Sequence, residues 1–204
     1  MSKDGVDTKQ RIFDAAVKLF SERGFQVTSM KKLAAEANIT PGSIYNHFHS
    51  KQEIVDEIYA FYHENWQKVL PHLDDLLAAA ETEEPISVLR RLTVYYDPEI
   101  QKVMDRILII AVGMSRFDAR SEAFVLEHIF QAHVKILLPV LNRMVELKRI
   151  EPVDTRVYCN LIAYMSFGTA TLNSTSSMKI AKADWEACLA FVSSQIRPIN
   201  TPEH

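Results

Sequence analysis

Thr-Ser-Met-Lys-Lys-Leu-Ala-Ala-Glu-Ala-Asn-Ile-Thr-Pro-Gly-Ser-Ile-Tyr-Asn-His-Phe-His-Ser-Lys, residues 28–51, reads as a short helix, a tight connection, a second short helix and the start of a third. Thr28 or Ser29 can cap the first helix, and Met30, Leu33, Ala34 and Ala37 recur at helical spacing on its inner side. Asn38-Ile39-Thr40 breaks that pattern. Thr40 is a good N-cap for the second helix, and Pro41 at its first position has no amide to leave unpaired. Ile44 and Phe48 then point inward, which leaves Pro41, Gly42, Ser43, Tyr45, Asn46 and His47 on or near the outer face. Ser50-Lys51-Gln52-Glu53 is a capping box and starts a third helix at Lys51. Two helices of roughly two turns joined by about three residues make a helix-turn-helix, here residues 29–48, whose second helix enters the major groove.

Helical spacing and caps alone would also suit an ordinary helical hairpin inside a core. Charge separates the two readings. Residues 1–51 hold eight Lys/Arg and five Asp/Glu, 8 − 5 = +3, and the rest of the chain holds (23 − 8) − (26 − 5) = −6. An acidic protein with a basic first quarter concentrates its attraction for phosphate in one place.

Residues 8–55 resemble the TetR-type DNA-binding domain at Ile12, Ala15, Ala16, Leu19, Phe20, Gly24, Thr28, Leu33, Ala34, Ala37, Gly42, Tyr45, His47, Phe48 and Lys51. The departures are small: Leu33 stands where the family often has Ile, and Asn38 where it often has Gly. Asn tolerates left-handed backbone, so Asn38 fits the turn. The resemblance implies that Thr28 and Ser29, at the start of the helix before the recognition helix, and Thr40, at the start of the recognition helix itself, meet phosphates through hydroxyls and nearby amides. Gly42 lets the backbone come close to the DNA, and Tyr45, His47 and Lys51 match the family's phosphate-contacting positions. Base reading falls to the variable outer positions Pro41, Ser43 and Asn46. An Asn can pair with adenine, and Pro41 can touch a thymine methyl.

Ahead of the motif, Thr8 to Arg23 predicts a helix with Ile12, Ala15, Ala16, Leu19 and Phe20 on one stripe and Gly24 just past its end. Met1–Asp7 is polar, reads as frayed and is too hydrophilic for a signal peptide. No run of 18 apolar residues exists, so a cytoplasmic protein without a membrane segment is expected. Cys159 and Cys188 lie in apolar stretches without a CxxC partner and read as buried thiols. Further helices are expected at about 51–70, 72–81, 85–96, 98–114, 120–147, 153–173 and 183–196, broken at Pro71, Pro85, Pro98, Arg116–Arg120, Pro152 and Ser174–Ser177. The predicted class is all-α: a three-helix helix-turn-helix domain at 6–66, then a larger helical ligand-binding and dimerisation domain at 67–204, with the helix from Lys51 joining them.

In helix 153–173 the apolar positions spread around more than one face, which implies burial on two sides. The family resemblance implies that helices 153–173 and 183–196 pair with their equivalents in a homodimer. Two recognition helices on two half-sites of a double-stranded, near-palindromic operator would then supply the affinity that one lacks. Phe61, Tyr62, Trp66, Tyr96, Met104, Ile107, Met114, Phe124, His128 and Tyr164 are candidates to line a pocket for an apolar or aromatic small-molecule effector, although such stripes also make ordinary core. His128 and His133 are five apart, about 140° around a helix, and do not form a metal pair. No HExxH, Gly-rich phosphate loop or GxSxG occurs, so no catalytic residue, metal or cofactor is expected. The expected function is a homodimeric, ligand-released transcriptional repressor. The alternative is a helical adaptor or small-molecule-binding protein without a DNA target, which the Tyr45–Lys51 cluster disfavours.

Overall fold

The computed structural model describes residues 3–91, 97–175 and 182–199. They form helices α1 (Lys3–Arg23), α2 (Met30–Glu36), α3 (Lys51–Val69), α4 (Leu73–Thr82), α5 (Pro85–Arg91), α6 (Pro98–Met114), α7 (Ala119–Val125), α8 (Ala132–Glu146), α9 (Thr155–Thr175) and α10 (Lys182–Ser194). A single 3-10 turn, Ser43–Asn46, lies between α2 and α3, and a π-helical segment, Leu126–Gln131, joins α7 to α8. No strand occurs among the described residues, and the all-α class holds.

Helix ends follow the caps. Asp97 accepts the Glu99 amide at 2.9 Å ahead of Pro98, which opens α6 at the position where a missing amide costs nothing. Ser50 accepts the Glu53 amide at 3.2 Å, and the Glu53 carboxylate accepts the His49 amide at 2.7 Å. The expected box therefore closes one residue further back than the usual reciprocal pair. α1 starts at Lys3 rather than Thr8, so Lys3–Asp7 is helical where fraying was expected. The helix expected over 120–147 arrives as α7, the π segment and α8, with Pro139 inside α8.

The helices fall into two compact units, one drawn from Met1–Lys68 and Tyr96–Phe124, the other from Val69–Tyr95 and Val125–His204. The first boundary falls between Lys68 and Val69, and residues 97–124 group with the N-terminal helices. In the first unit α6 packs along α1, burying Met104, Ile107, Ile110 and Ala111. Ile12, Ala16, Leu33, Ile44, Phe48, Ile54 and Ile58 are also buried there. Tyr59 stacks on Phe124 with ring centroids 4.2 Å apart and donates its hydroxyl to Ser121 Oγ at 2.8 Å. Burial pushes the Tyr59 phenol up to about 12.

In the second unit α8 packs against α4 and α9 around Leu76, Val88, Leu141, Met144, Ile150, Tyr158, Cys159 and Ile162. Arg149 donates to the carbonyls of Glu81 at 2.5 Å and Glu83 at 2.6 Å, satisfying the C-terminal end of α4. Residues 150 and 198 form an isolated antiparallel bridge, and Ile196 is buried in the same core. Cys159 is buried, and burial pushes its thiol up to about 11. Cys188 departs from expectation: it lies exposed on α10, because the inward positions near that end are Val192 and Ile196. No helix among the described residues is long and apolar enough to cross a membrane.

Candidate nucleic-acid interface

The stretch 28–51 adopts a helix-turn-helix topology whose second element is shorter than two turns. Its α-helical turns do not extend from Pro41; Ser43–Asn46 is a single 3-10 turn, and the Phe48 amide then closes onto the Ile44 carbonyl at 2.9 Å. Ile44 and Phe48 are buried as the spacing predicts, which fixes the opposite side of this turn toward solvent. Pro41, Gly42, Tyr45 and Asn46 are exposed, and Ser43 and His47 are half-buried. Thr40 accepts the Ser43 amide at 3.2 Å and shares a hydroxyl–hydroxyl hydrogen bond with Ser43 at 2.8 Å, but it does not occupy the expected N-cap position, which falls to Gly42 because the helical turn starts at Ser43. The Tyr45 ring is 50% exposed and projects away from the core. Gly42 has φ −73°, and a Cβ there would meet no protein atom within 4 Å. Nothing inside the protein requires glycine at this position.

Ser29, rather than Thr28, caps α2, accepting the Lys32 amide at 3.3 Å. Thr28 differs from its expected outward role: it is 1% exposed and donates its hydroxyl to the Gly24 carbonyl at 2.9 Å. That bond satisfies a carbonyl at the C-terminal end of α1, where Gly24 itself is left-handed at φ 92°. Asn38 adopts φ 54°, the left-handed conformation expected of it in place of glycine.

The cations of this region are committed more than their number suggests. Lys9 pairs with Glu57 and Lys18 with Glu36, each at 2.6 Å. Arg11 donates to the Ala37 carbonyl and to the Asn38 carbonyl at 2.7 Å, closing the turn after α2. Lys32 donates to the Val27 carbonyl at 2.8 Å. Lys51 donates to the Phe25 carbonyl at 2.6 Å and lies over the Phe25 ring, 4.1 Å from its centroid. Burial lowers the Lys51 ammonium from its ordinary value. Arg23 and Lys31 are exposed. Arg11 and Phe25 were not singled out from the sequence. Their partners lie 26 residues away, beyond any local pattern.

Of the residues considered for an effector pocket, Phe61, Tyr62, Trp66, Met104, Ile107, Met114 and Phe124 lie in the first unit, and His128 and Tyr164 in the second. Tyr96 lies outside the described residues. Tyr62 packs edge-on to Phe124 at 5.0 Å and stacks with Trp66 at 6.3 Å, and Phe61 meets Phe13 at 5.0 Å. Burial raises the Tyr62 phenol. Tyr62, Met104, Ile107, Met114, Phe124 and His128 are buried, whereas Tyr164 is 58% exposed.

Residues 12–58 match the family model of bacterial regulatory proteins of the tetR family. The chain is 32% identical to the HTH-type transcriptional regulator AcrR of Shigella flexneri over 93 residues, 46% of this chain and 41% of that protein. It is 40% identical to the HTH-type transcriptional regulator UidR of Escherichia coli K12 over 58 residues, 28% of this chain and 30% of that protein. The aligned stretches thus span less than half of the curated relatives' length. The solved structure of NalD of Pseudomonas aeruginosa superposes with a TM-score of 0.63 at 20% identity, covering 96% of this chain and 98% of that one, which is a likeness of fold. Residues 12–58 therefore carry a segment similar to the DNA-binding domain of bacterial regulatory proteins of the tetR family, and the chain shares the all-α fold of the solved NalD structure.

Proposed function

We propose that this chain is a homodimeric, ligand-responsive transcriptional regulator acting in the cytoplasm, most plainly a repressor released from a near-palindromic operator by a small molecule. The observation that carries the reading is the solvent-facing surface of the Thr40–His47 segment: polar and small groups stand outward from a turn anchored by Ile44 and Phe48. Ser29, Thr40, Tyr45 and His47 set register on phosphates, and Gly42 leaves room for a backbone to approach. Thr28 acts from inside, by holding the turn that presents Ser29. Pro41, Ser43 and Asn46 read bases.

Dimerisation is supported by α9. Its buried side carries Tyr158, Cys159, Ile162 and Ala163, and its other side exposes Val157, Leu161, Tyr164 and Leu172. α10 adds Phe191, 70% exposed. Clustered apolar exposure of this kind marks a protein–protein contact. The effector is an apolar or aromatic small molecule that biases helix packing, and α3, continuous from Lys51 to Val69, relays the change. A ligand that weakens operator binding 100-fold supplies about 2.7 kcal/mol of coupling.

Enrichment of duplexes from a random library by the purified protein tests the reading. A near-palindromic site is expected, and Asn46→Ala changes preference at one position per half-site by about 1–3 kcal/mol. If no duplex is enriched over random DNA, the adaptor reading replaces this one.

A further inference from the structure

We propose that the N-terminal cap of α7 is a coupling element for DNA binding: a closed polar ring makes the closing of that cap and the pose of α3 one equilibrium. The inference rests on the DNA-binding reading above and names a point of regulation within it. Asp118 caps α7 by accepting the Ser121 amide at 3.0 Å, and it also accepts the Ser121 hydroxyl at 2.5 Å. The Ser121 hydroxyl in turn accepts the phenol of Tyr59, from α3, at 2.8 Å. Three residues earlier on α3, Asp56 accepts from Arg120 at 3.0 Å. The Arg120 guanidinium lies 3.6 Å from Asp118, which returns the circuit to its start. On the apolar side the Tyr59 ring stacks on Phe124, one turn further along α7.

The members of the ring depend on one another. Ser121 is fully buried, and a buried hydroxyl that loses a partner costs about 1–3 kcal/mol. Its bond to Asp118 holds that carboxyl below its ordinary pKa, which keeps the acceptor ionised. Opening at Tyr59 therefore loosens the cap, and losing the cap withdraws the acceptor from Tyr59. Asp56 and Tyr59 lie in the turns of α3 that follow the recognition segment directly, and Ile54, Val55 and Ile58 of those turns are buried. A helix held on both sides presents Thr40–His47 in one pose. The chain leaves this unit after Phe124, so a change in the second unit reaches the ring along the chain through α7.

The test uses the full-length protein and a duplex it has enriched from a random library. Hydrogen exchange of residues 119–124 is followed by mass spectrometry, and binding is measured from low to moderate salt. Coupling is reciprocal: the factor by which duplex slows opening of the cap is the factor by which loss of the cap weakens duplex binding. Duplex is expected to slow exchange of 119–124 about fivefold in the parent, and Ser121→Ala to bind duplex about fivefold more weakly. Tyr59→Phe keeps the ring stack and the cap but removes the link. Duplex should then no longer slow exchange at 119–124 and should bind about fivefold more weakly. In both variants the slope of log affinity against log salt stays parental, because no phosphate contact is lost. A merely structural ring behaves differently: the variants exchange faster and melt earlier, but duplex leaves exchange at 119–124 unchanged and affinity stays parental. That result overturns the proposal, as does a duplex-dependent slowing that persists in Tyr59→Phe. If Ser121→Ala does not fold, Tyr59→Phe alone decides. A parent that enriches no duplex removes the DNA-binding reading itself, and this inference with it.

Discussion

The 28–48 segment and α9 handle apolar residues in opposite ways. In the first, Leu33, Ala34, Ala37, Ile44 and Phe48 all face inward, and the outward positions are polar, small or amphipathic. In α9, Tyr158, Cys159, Ile162 and Ala163 face inward, yet Val157, Leu161, Tyr164 and Leu172 face out. A segment whose apolar side is fully satisfied has a surface at ease in water and suited to a hydrated, charged partner. A helix that is apolar on both sides has satisfied only one of them. The contrast is the basis on which nucleic acid is proposed as the partner of the first region and a second protein surface as that of the other.

Several substitutions would break or sharpen the contrast. Phe48→Ala should have the largest effect on the first region, destabilising its unit by about 3–5 kcal/mol, read by chemical denaturation. Leu161→Glu should leave the monomer folded, because its side chain is exposed, but cost at least about 2 kcal/mol of association free energy, read by sedimentation across a concentration series. If Leu161→Glu instead unfolds the chain without changing its association, the outward side of α9 is misassigned. Ser50→Ala removes the acceptor for the Glu53 amide and should cost about 1 kcal/mol, seen as a lower thermal midpoint. Asn38→Gly should be nearly neutral, within about 0.5 kcal/mol, since it relieves a left-handed residue while adding freedom to the unfolded chain.

Much of this architecture is legible in the order of residues. Prolines at the helix starts, Ser50 and Glu53, and the Ile44–Phe48 spacing place elements to within a few residues because caps and periodicity are local physics. The two sides of α9 are also visible, as a helix whose apolar positions overfill one face. What local pattern does not carry is pairing at a distance. The basic count of residues 1–51 suggests phosphate contacts, yet Lys9 and Lys18 pair with carboxylates and Arg11, Lys32 and Lys51 spend their donors on backbone carbonyls. Charge is additive along a sequence, but its use depends on neighbours that only the fold supplies. The same limit explains why residues 97–124 group with the N-terminal helices, and why the recognition element shortens to one 3-10 turn. Its end is dictated by how Phe48 seats in the core rather than by any breaker.

The unequal burial of the two cysteines makes the second unit a clock for its own opening. Cys188 is exposed on α10, and an alkylating reagent can modify it directly. Cys159 is fully enclosed by α9's inward side, and its thiol holds its proton more tightly than usual, so it reacts only when that core opens. The ratio of the two labelling rates, after correction for intrinsic reactivity, therefore reports the free energy of opening around α9 without any added probe. Measured over a range of protein concentrations, the same ratio separates breathing within one chain from protection conferred by a second one.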